Sequence, residues 1–67
     1  MKLSLSANIS KLRKEHAMTQ EQLAEALGVT FASVSKWERG VATPELNLIA
    51  EMADLFDVVY FRARIYR

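Results

Sequence analysis

The chain has 67 residues, enough for one small domain with a single core, and 51% of them are apolar. It contains no cysteine and one histidine, which excludes disulfides, thiolate chemistry and an ordinary zinc site. Nine Lys and Arg against eight Asp and Glu give no sign by themselves of a polyanionic partner. Neither a membrane span nor a signal peptide can be recognised, so we expect one cytoplasmic domain over residues 1–67, without membrane contact.

The first 18 residues predict a helix and a turn. Ser4 stands where a cap is needed, and apolar residues then recur at helical spacing. The inner face is expected to hold Leu5, Ile9, Leu12 and His16. Residues 16–18 are expected to form the turn into a second helix.

Residues 19–28 predict a short capped helix. Thr19 and Gln22 have the spacing of a capping box, so the helix should run from Gln20 to about Leu27. Gly28 follows, and glycine adopts the left-handed conformation that ends a helix at little cost. The residues at core spacing are Leu23, Ala24 and Leu27.

A third helix follows this turn almost at once. Thr30 is placed to cap it, and it should run from Phe31 to about Arg39 and stop at Gly40. Its inner face would hold Val34 and Trp37. Four residues then point outward, namely Phe31, Ala32, Ser33 and Lys36. Two short helices joined at a glycine form a helix-turn-helix, whose second helix presents such residues to base edges.

Thr43-Pro44-Glu45 predicts the start of a fourth helix, with Thr as the cap and Pro at the first helical position. The helix should run to about Phe56. Its expected core face consists of Leu46, Ile49, Ala50, Ala53 and Phe56.

The last ten residues have a different pattern. Apolar positions alternate with Tyr and Arg, and the inward set would be Val59, Phe61, Ala63 and Ile65. This alternation predicts a strand over 58–67. A lone strand leaves its backbone groups unpaired, so it is expected to pair with the same strand of a second copy, which makes a homodimer. A fifth helix, with Val58, Phe61 and Ile65 inward, is the alternative.

Taken together, these motifs resemble the Cro and phage-repressor type of helix-turn-helix, the xenobiotic-response-element-like regulators. The matching positions are Ile9, Leu12–Lys14, Thr19–Gln20, Leu23–Ala24, Gly28–Val29, Ser33, Trp37–Glu38, Gly40, Pro44 and Val58. The resemblance implies an all-α fold, a compact four-helix lambda-repressor-like domain, here followed by the C-terminal strand. It also implies sequence-specific binding of double-stranded DNA by a transcriptional regulator. Because no activating surface is visible, we expect a repressor.

The resemblance also implies roles for particular residues. Base contacts are expected from Phe31 and Ala32 to thymine methyl groups and from Lys36 to guanine O6 or N7, with a phosphate as the alternative partner of Lys36. Phosphate contacts are expected from Gln20, Ser33, Arg39 and Thr43. Arg13 and Glu38 are expected to form a partly shielded ion pair that orients the third helix. Relatives often carry Gln, Arg or Asn at positions 31, 32 or 36 for paired hydrogen bonds to a base, and this chain departs from that pattern.

Two other functions remain open from the sequence. The domain could be the antitoxin of a toxin–antitoxin pair, with a toxin as its protein partner. It could also be a helix-turn-helix that serves as a protein-interaction module. No paired carboxylates, Ser–His–Asp arrangement or glycine-rich phosphate loop appears, so we expect neither an enzyme nor a bound cofactor.

Overall fold

The structure, a computed structural model, describes residues 4–56. These residues form four helices: α1 (Leu5–Glu15), α2 (Gln20–Leu27), α3 (Phe31–Arg39) and α4 (Leu46–Phe56). The predicted all-α domain is confirmed, and none of these helices is long and apolar enough to cross a membrane. The strand or fifth helix predicted at 58–67 lies outside the described residues, as do its inward residues Val59, Phe61, Ala63 and Ile65.

The bounds predicted for α2 and α3 are confirmed, together with their caps. Thr19 Oγ1 accepts the backbone N–H of Gln22 at 3.0 Å, and Gln22 Oε1 accepts that of Thr19 at 2.8 Å. Thr30 caps α3 by accepting a backbone N–H in the same way. Gly28 and Gly40 end the two helices with φ of +72° and +77°. The turns and the caps thus fix the start and end of both helices of the motif.

One cluster of apolar side chains forms the core between the four helices. Its buried members are Ile9, Leu23, Ala24, Leu27, Val34, Trp37, Met52 and Phe56. Full burial of one large apolar side chain contributes about 1.5–3 kcal/mol, so this cluster supplies most of the driving force for folding. The predicted inner faces of α2 and α3 are confirmed. On α1, Ile9 is buried and Leu12 packs against the cluster, while Leu5 stays 37% exposed.

The turn between α1 and α2 has the predicted residues. His16 ends α1, and its Nδ1 lies 2.8 Å from the carbonyl oxygen of Leu12. The ring of His16 also lies beside that of Phe56, with centroids 5.1 Å apart. Ala17 adopts a φ of +57°, in the left-handed region that an L-residue occupies only at a cost.

The predicted start of α4 is wrong. The helix begins at Leu46, because the carbonyl of Glu45 accepts the N–H of Leu48 at 2.9 Å and so stands at the cap position. Thr43 is therefore not the cap, and Pro44 is not the first helical residue. Pro44 is buried, and the chain becomes helical only after this ring has entered the interior.

The predicted core face of α4 is wrong in part. Phe56 is buried as expected, but Leu46 is 82% exposed and Ala50 is exposed too. The helix presents the row Leu48, Met52 and Phe56 to the core instead. Because most of α4 is apolar, several faces satisfy the helical period, and packing against the rest of the core selects one of them.

Candidate nucleic-acid interface

Within the part of the chain that the structure describes, nothing covers the outward face of α3. A helix turns about 100° per residue, so Ala32, Lys36 and Arg39 lie opposite the buried Val34 and Trp37. All three outward residues are exposed. Phe31, at the first position of the helix, flanks this face and leaves half of its surface, 50%, in solvent. The face is thus partly apolar at its start and cationic toward its end.

An ion pair holds α3 against α1. Arg13 Nε donates to Glu38 Oε2 at 2.6 Å, and Arg13 Nη2 donates to Glu38 Oε1 at 3.0 Å. Arg13 Nη1 also donates to the carbonyl of Met18 at 2.8 Å, in the turn before α2. The two side chains are only 12% and 7% exposed. Two parallel hydrogen bonds fix the relative orientation of the two side chains as well as their distance. The pair therefore holds α3 in a defined orientation against α1.

Gln20 adds a third helix to this network, which sequence reasoning missed. Its Nε2 donates to Glu38 Oε1 at 2.9 Å, so α1, α2 and α3 converge on one carboxylate. The only hint in the sequence was that Gln20 starts α2 close to Arg13. The cap of α2 occupies the N–H groups of Gln22 and Leu23. Among the described residues, nothing accepts a hydrogen bond from the backbone N–H groups of Gln20 and Glu21 at this helix start.

The network favours the ionised forms of both partners. Burial of the Glu38 carboxyl opposes its ionisation, but hydrogen bonds from Arg13 and Gln20 and the charges of Arg13 and Lys14 outweigh burial and lower its pKa. The pKa of Arg13 is raised, chiefly because Glu38 accepts its hydrogen bond. The charge of Arg13 is therefore used in a contact within the domain. The cations that α3 presents to solvent are Lys36 and Arg39.

The remaining predicted contact residues are placed in two further environments. Ser33 is half-buried, and its hydroxyl lies 3.0 Å from that of Thr30 at the start of α3, about 120° around the helix from Arg39. Arg39 Nε donates at 3.3 Å to the hydroxyl of Ser35, a residue that sequence reasoning did not single out. The four-residue spacing of Ser35 and Arg39 was the available signal.

Thr43 lies in the exposed loop between α3 and α4, at a shallow cleft that is lined also by Trp37 and Ser6. Trp37 itself is only 5% exposed. The cleft adjoins the loop that was predicted to contact phosphate.

Two capped helices around a glycine turn, the second with a face that the rest of the described chain leaves exposed, define a helix-turn-helix domain of the kind that enters the major groove. A family model described as helix-turn-helix matches residues 9–60, most of the chain. The chain belongs to this family, in its Cro/C1-type branch.

The relatives with this domain include bacterial regulators. The chain is 38% identical over 50 residues to the uncharacterised HTH-type transcriptional regulator YobD of Bacillus subtilis, covering 75% of this chain and 45% of YobD. It is 34% identical over 56 residues to the antitoxin PezA of Streptococcus pneumoniae, covering 84% of this chain and 35% of PezA. It is 34% identical over 56 residues to the HTH-type transcriptional activator BcrR of Enterococcus faecalis, covering 84% of this chain and 28% of BcrR. The chain thus spans less than half the length of each.

Proposed function

We propose that this domain binds double-stranded DNA in a sequence-dependent way and regulates transcription, with α3 in the major groove. The observation that carries the proposal is the exposed outward face of α3, on a helix whose direction is fixed by the ion pair of Arg13 and Glu38. Phe31 and Ala32 would contact thymine methyl groups, and Lys36 would donate to guanine O6 or N7. Membership of the helix-turn-helix family supports this assignment.

Phosphate contacts would flank α3 on both sides. Gln20 would act at the start of α2, where the backbone N–H groups and the positive end of the helix favour an anion. One amide hydrogen of Gln20 is bound to Glu38, which leaves the other for a phosphate oxygen. Arg39 would take the phosphate at the far end of α3, with Thr43 and the indole of Trp37 beside it. Ser33, at the start of α3, would contribute its hydroxyl.

Affinity on this scheme requires two half-sites. Lys36 and Arg39 are the only cations on α3, so one protomer neutralises few phosphates. A homodimer through residues 58–67, with Val59, Phe61, Ala63 and Ile65 facing inward, would double the contacts and fix the half-site spacing at about 34 Å. We further propose that the protein acts as a repressor by occupying its operator, at the cytoplasmic location expected from the sequence.

Binding-site selection on the purified protein followed by affinity measurements tests this function. Phe31→Ala is expected to relax the preference at one base step of the selected site, because its ring would be the group in contact with that base pair. Asn47→Ala, an exposed residue on α4, serves as the control and should change nothing. Unchanged relative affinities of Phe31→Ala for a panel of single-base variants would refute the base contact, and absence of salt-sensitive binding would refute the function.

The antitoxin alternative rests on one finding, the similarity to the antitoxin PezA. In that case the same domain would bind its own promoter and a longer form of the protein would bind a toxin. A toxic protein encoded next to this chain, neutralised by co-expression and co-purifying with it, would establish the alternative. DNA binding through α3 would be common to both functions.

A further inference from the structure

The apolar surface of α4 is wider than the part that the core covers. Eight of its eleven residues are apolar, and at about 100° per residue they occupy about 220° of the helix circumference. The polar residues Asn47, Glu51 and Asp54 share the rest. The core covers only one side of the apolar arc. The other side is an α4 stripe that consists of Leu46, Ile49, Ala50 and Ala53.

The α4 stripe is a continuous surface. Its members follow one another at spacings of three and four residues, so they are neighbours along one side of the helix. Leu46 is 82% exposed, Ala50 is exposed, and Ile49 and Ala53 are half-buried. Single exposed apolar residues are ordinary, but a contiguous stripe beside a core points to a covering partner. Within residues 4–56, nothing covers Leu46 or Ala50.

The charges around the stripe favour one kind of occupant. Residues 41–57 carry four acidic side chains and no basic one, and two of these, Glu51 and Asp54, lie on α4 itself. Residues 58–67 carry three arginines and no acidic side chain. Their alternating apolar residues would form one apolar side, which is buried only when it packs against another apolar surface. The two segments therefore complement each other in charge and in apolar character.

The direction of the chain favours a second copy over the chain's own segment. The described part of α4 ends at Phe56, opposite to Leu46, so the residues that follow could cover the stripe of their own chain only by reversing direction. Of the residues that follow, only Asp57 is a common turn residue, and Val58 and Val59 are β-branched. An extended segment of ten residues spans about 33 Å. That is twice the length of α4, about 16 Å, and enough to reach another molecule.

We propose that the α4 stripe is the docking surface for residues 58–67 of a second copy of this chain. This inference rests on the homodimer proposed above and deepens it, because it names the surface that the C-terminal segments cover. In a two-fold dimer each protomer would give its segment and receive the other, so the interface forms twice. The arginines of the segment would then lie beside Glu51 and Asp54.

Two charge substitutions on one helix test the surface. Ala50→Glu places a carboxylate in the stripe, and Asn47→Glu adds the same charge at an exposed position of the polar arc. In sedimentation at micromolar concentration we expect a dimeric wild type, a dimeric Asn47→Glu, and a dimer dissociation constant raised at least about tenfold in Ala50→Glu. Helical circular dichroism should be the same for all three. A dimeric Ala50→Glu as tight as the wild type, or a monomeric wild type, overturns the proposal.

Cross-linking decides between a second copy and the chain's own segment, whatever the charge variants do to stability. The chain has no cysteine, so Ala50→Cys and Ile65→Cys can each carry a single thiol. When the two proteins are mixed with a short bismaleimide, we expect a cross-linked pair of one chain of each kind, and much less of it with Asn47→Cys in place of Ala50→Cys. Absence of this pair, or linkage only within a chain that carries both cysteines, overturns the proposal. DNA binding by α3 is measured separately, so its presence or loss does not affect this outcome.

Discussion

Replacing Arg13 by Met should destabilise the domain strongly, because it leaves the Glu38 carboxylate shielded without its cation. The side chain of Glu38 is only 7% exposed, and after the substitution it keeps only the hydrogen bond from Gln20. Breaking a buried pair in this way costs about 3–5 kcal/mol. Because the pair is not completely buried, we expect about 3 kcal/mol, against a total stability of about 3–10 kcal/mol for a domain of this size.

A double-mutant cycle separates the pair from its surroundings. Glu38→Met in the Arg13→Met background removes the stranded charge, so the double variant should be more stable than the sum of the single losses implies, by about 2 kcal/mol. Urea unfolding followed by the fluorescence of Trp37 measures these differences, since this residue is the single tryptophan and is buried. Protein concentration is held constant, because dimerisation would otherwise alter the apparent stability.

The pH dependence gives a second test of the same pair. The pKa of Glu38 is lowered in the folded protein, so its stabilising contribution is complete above the unfolded value, about 4.3, and is lost as the pH falls through the folded pKa. In Arg13→Met, burial without a cation should raise the pKa of Glu38. Protonation of this carboxylate at low pH then removes the cost of the unpaired buried charge in the variant. The stability difference between wild type and variant should therefore begin to shrink as the pH falls toward the raised pKa of the variant, above about 4.3, and shrink further until the pH passes the lowered pKa of the wild type. A coupling near zero, or an equal difference at pH 7 and pH 3, would refute the argument.

Three other predictions concern the turns, the phosphates and the dimer. Ala17→Gly should raise the unfolding free energy by about 0.5–1 kcal/mol. Glycine removes the cost of the left-handed conformation, and the greater conformational entropy of glycine in the unfolded chain offsets part of that gain. Gly28→Ala should lower the unfolding free energy by about 1 kcal/mol. The cost comes from the left-handed backbone conformation and not from a clash, since an added Cβ meets nothing within 4 Å. Chemical denaturation of the two variants measures both changes in stability. Arg39→Ala should weaken binding to all DNA sequences alike and lower the slope of log affinity against log salt concentration by about one unit per protomer. Gln20→Ala should also weaken binding to all sequences alike, but with little change of that slope, because it removes no charge. A slope that Arg39→Ala leaves unaltered would exclude the contact of Arg39 with phosphate. Phe61→Pro should dissociate the dimer in sedimentation and lower operator affinity sharply, and an intact dimer would rule out the paired strand.

Local sequence determined the helix-turn-helix almost completely. The caps Thr19 and Thr30 and the glycines at 28 and 40 act within a few residues of themselves, so their effect on α2 and α3 follows from sequence order alone. The outward direction of Lys36 followed as well, because its neighbours Val34 and Trp37 fill the inner face of a short helix.

Tertiary structure decided what local rules left undetermined. The face that α4 buries and the point where it begins depend on Pro44 and Met52 packing into the interior, and an apolar arc of about 220° contains several faces of equal periodicity. The bond from Gln20 to Glu38 joins residues 18 positions apart, and sequence patterns do not encode which amide will reach a carboxylate on another helix. Contacts between distant residues form only when the helices have packed. The resemblance implied the pair of Arg13 and Glu38, but only the fold showed that Gln20 joins it.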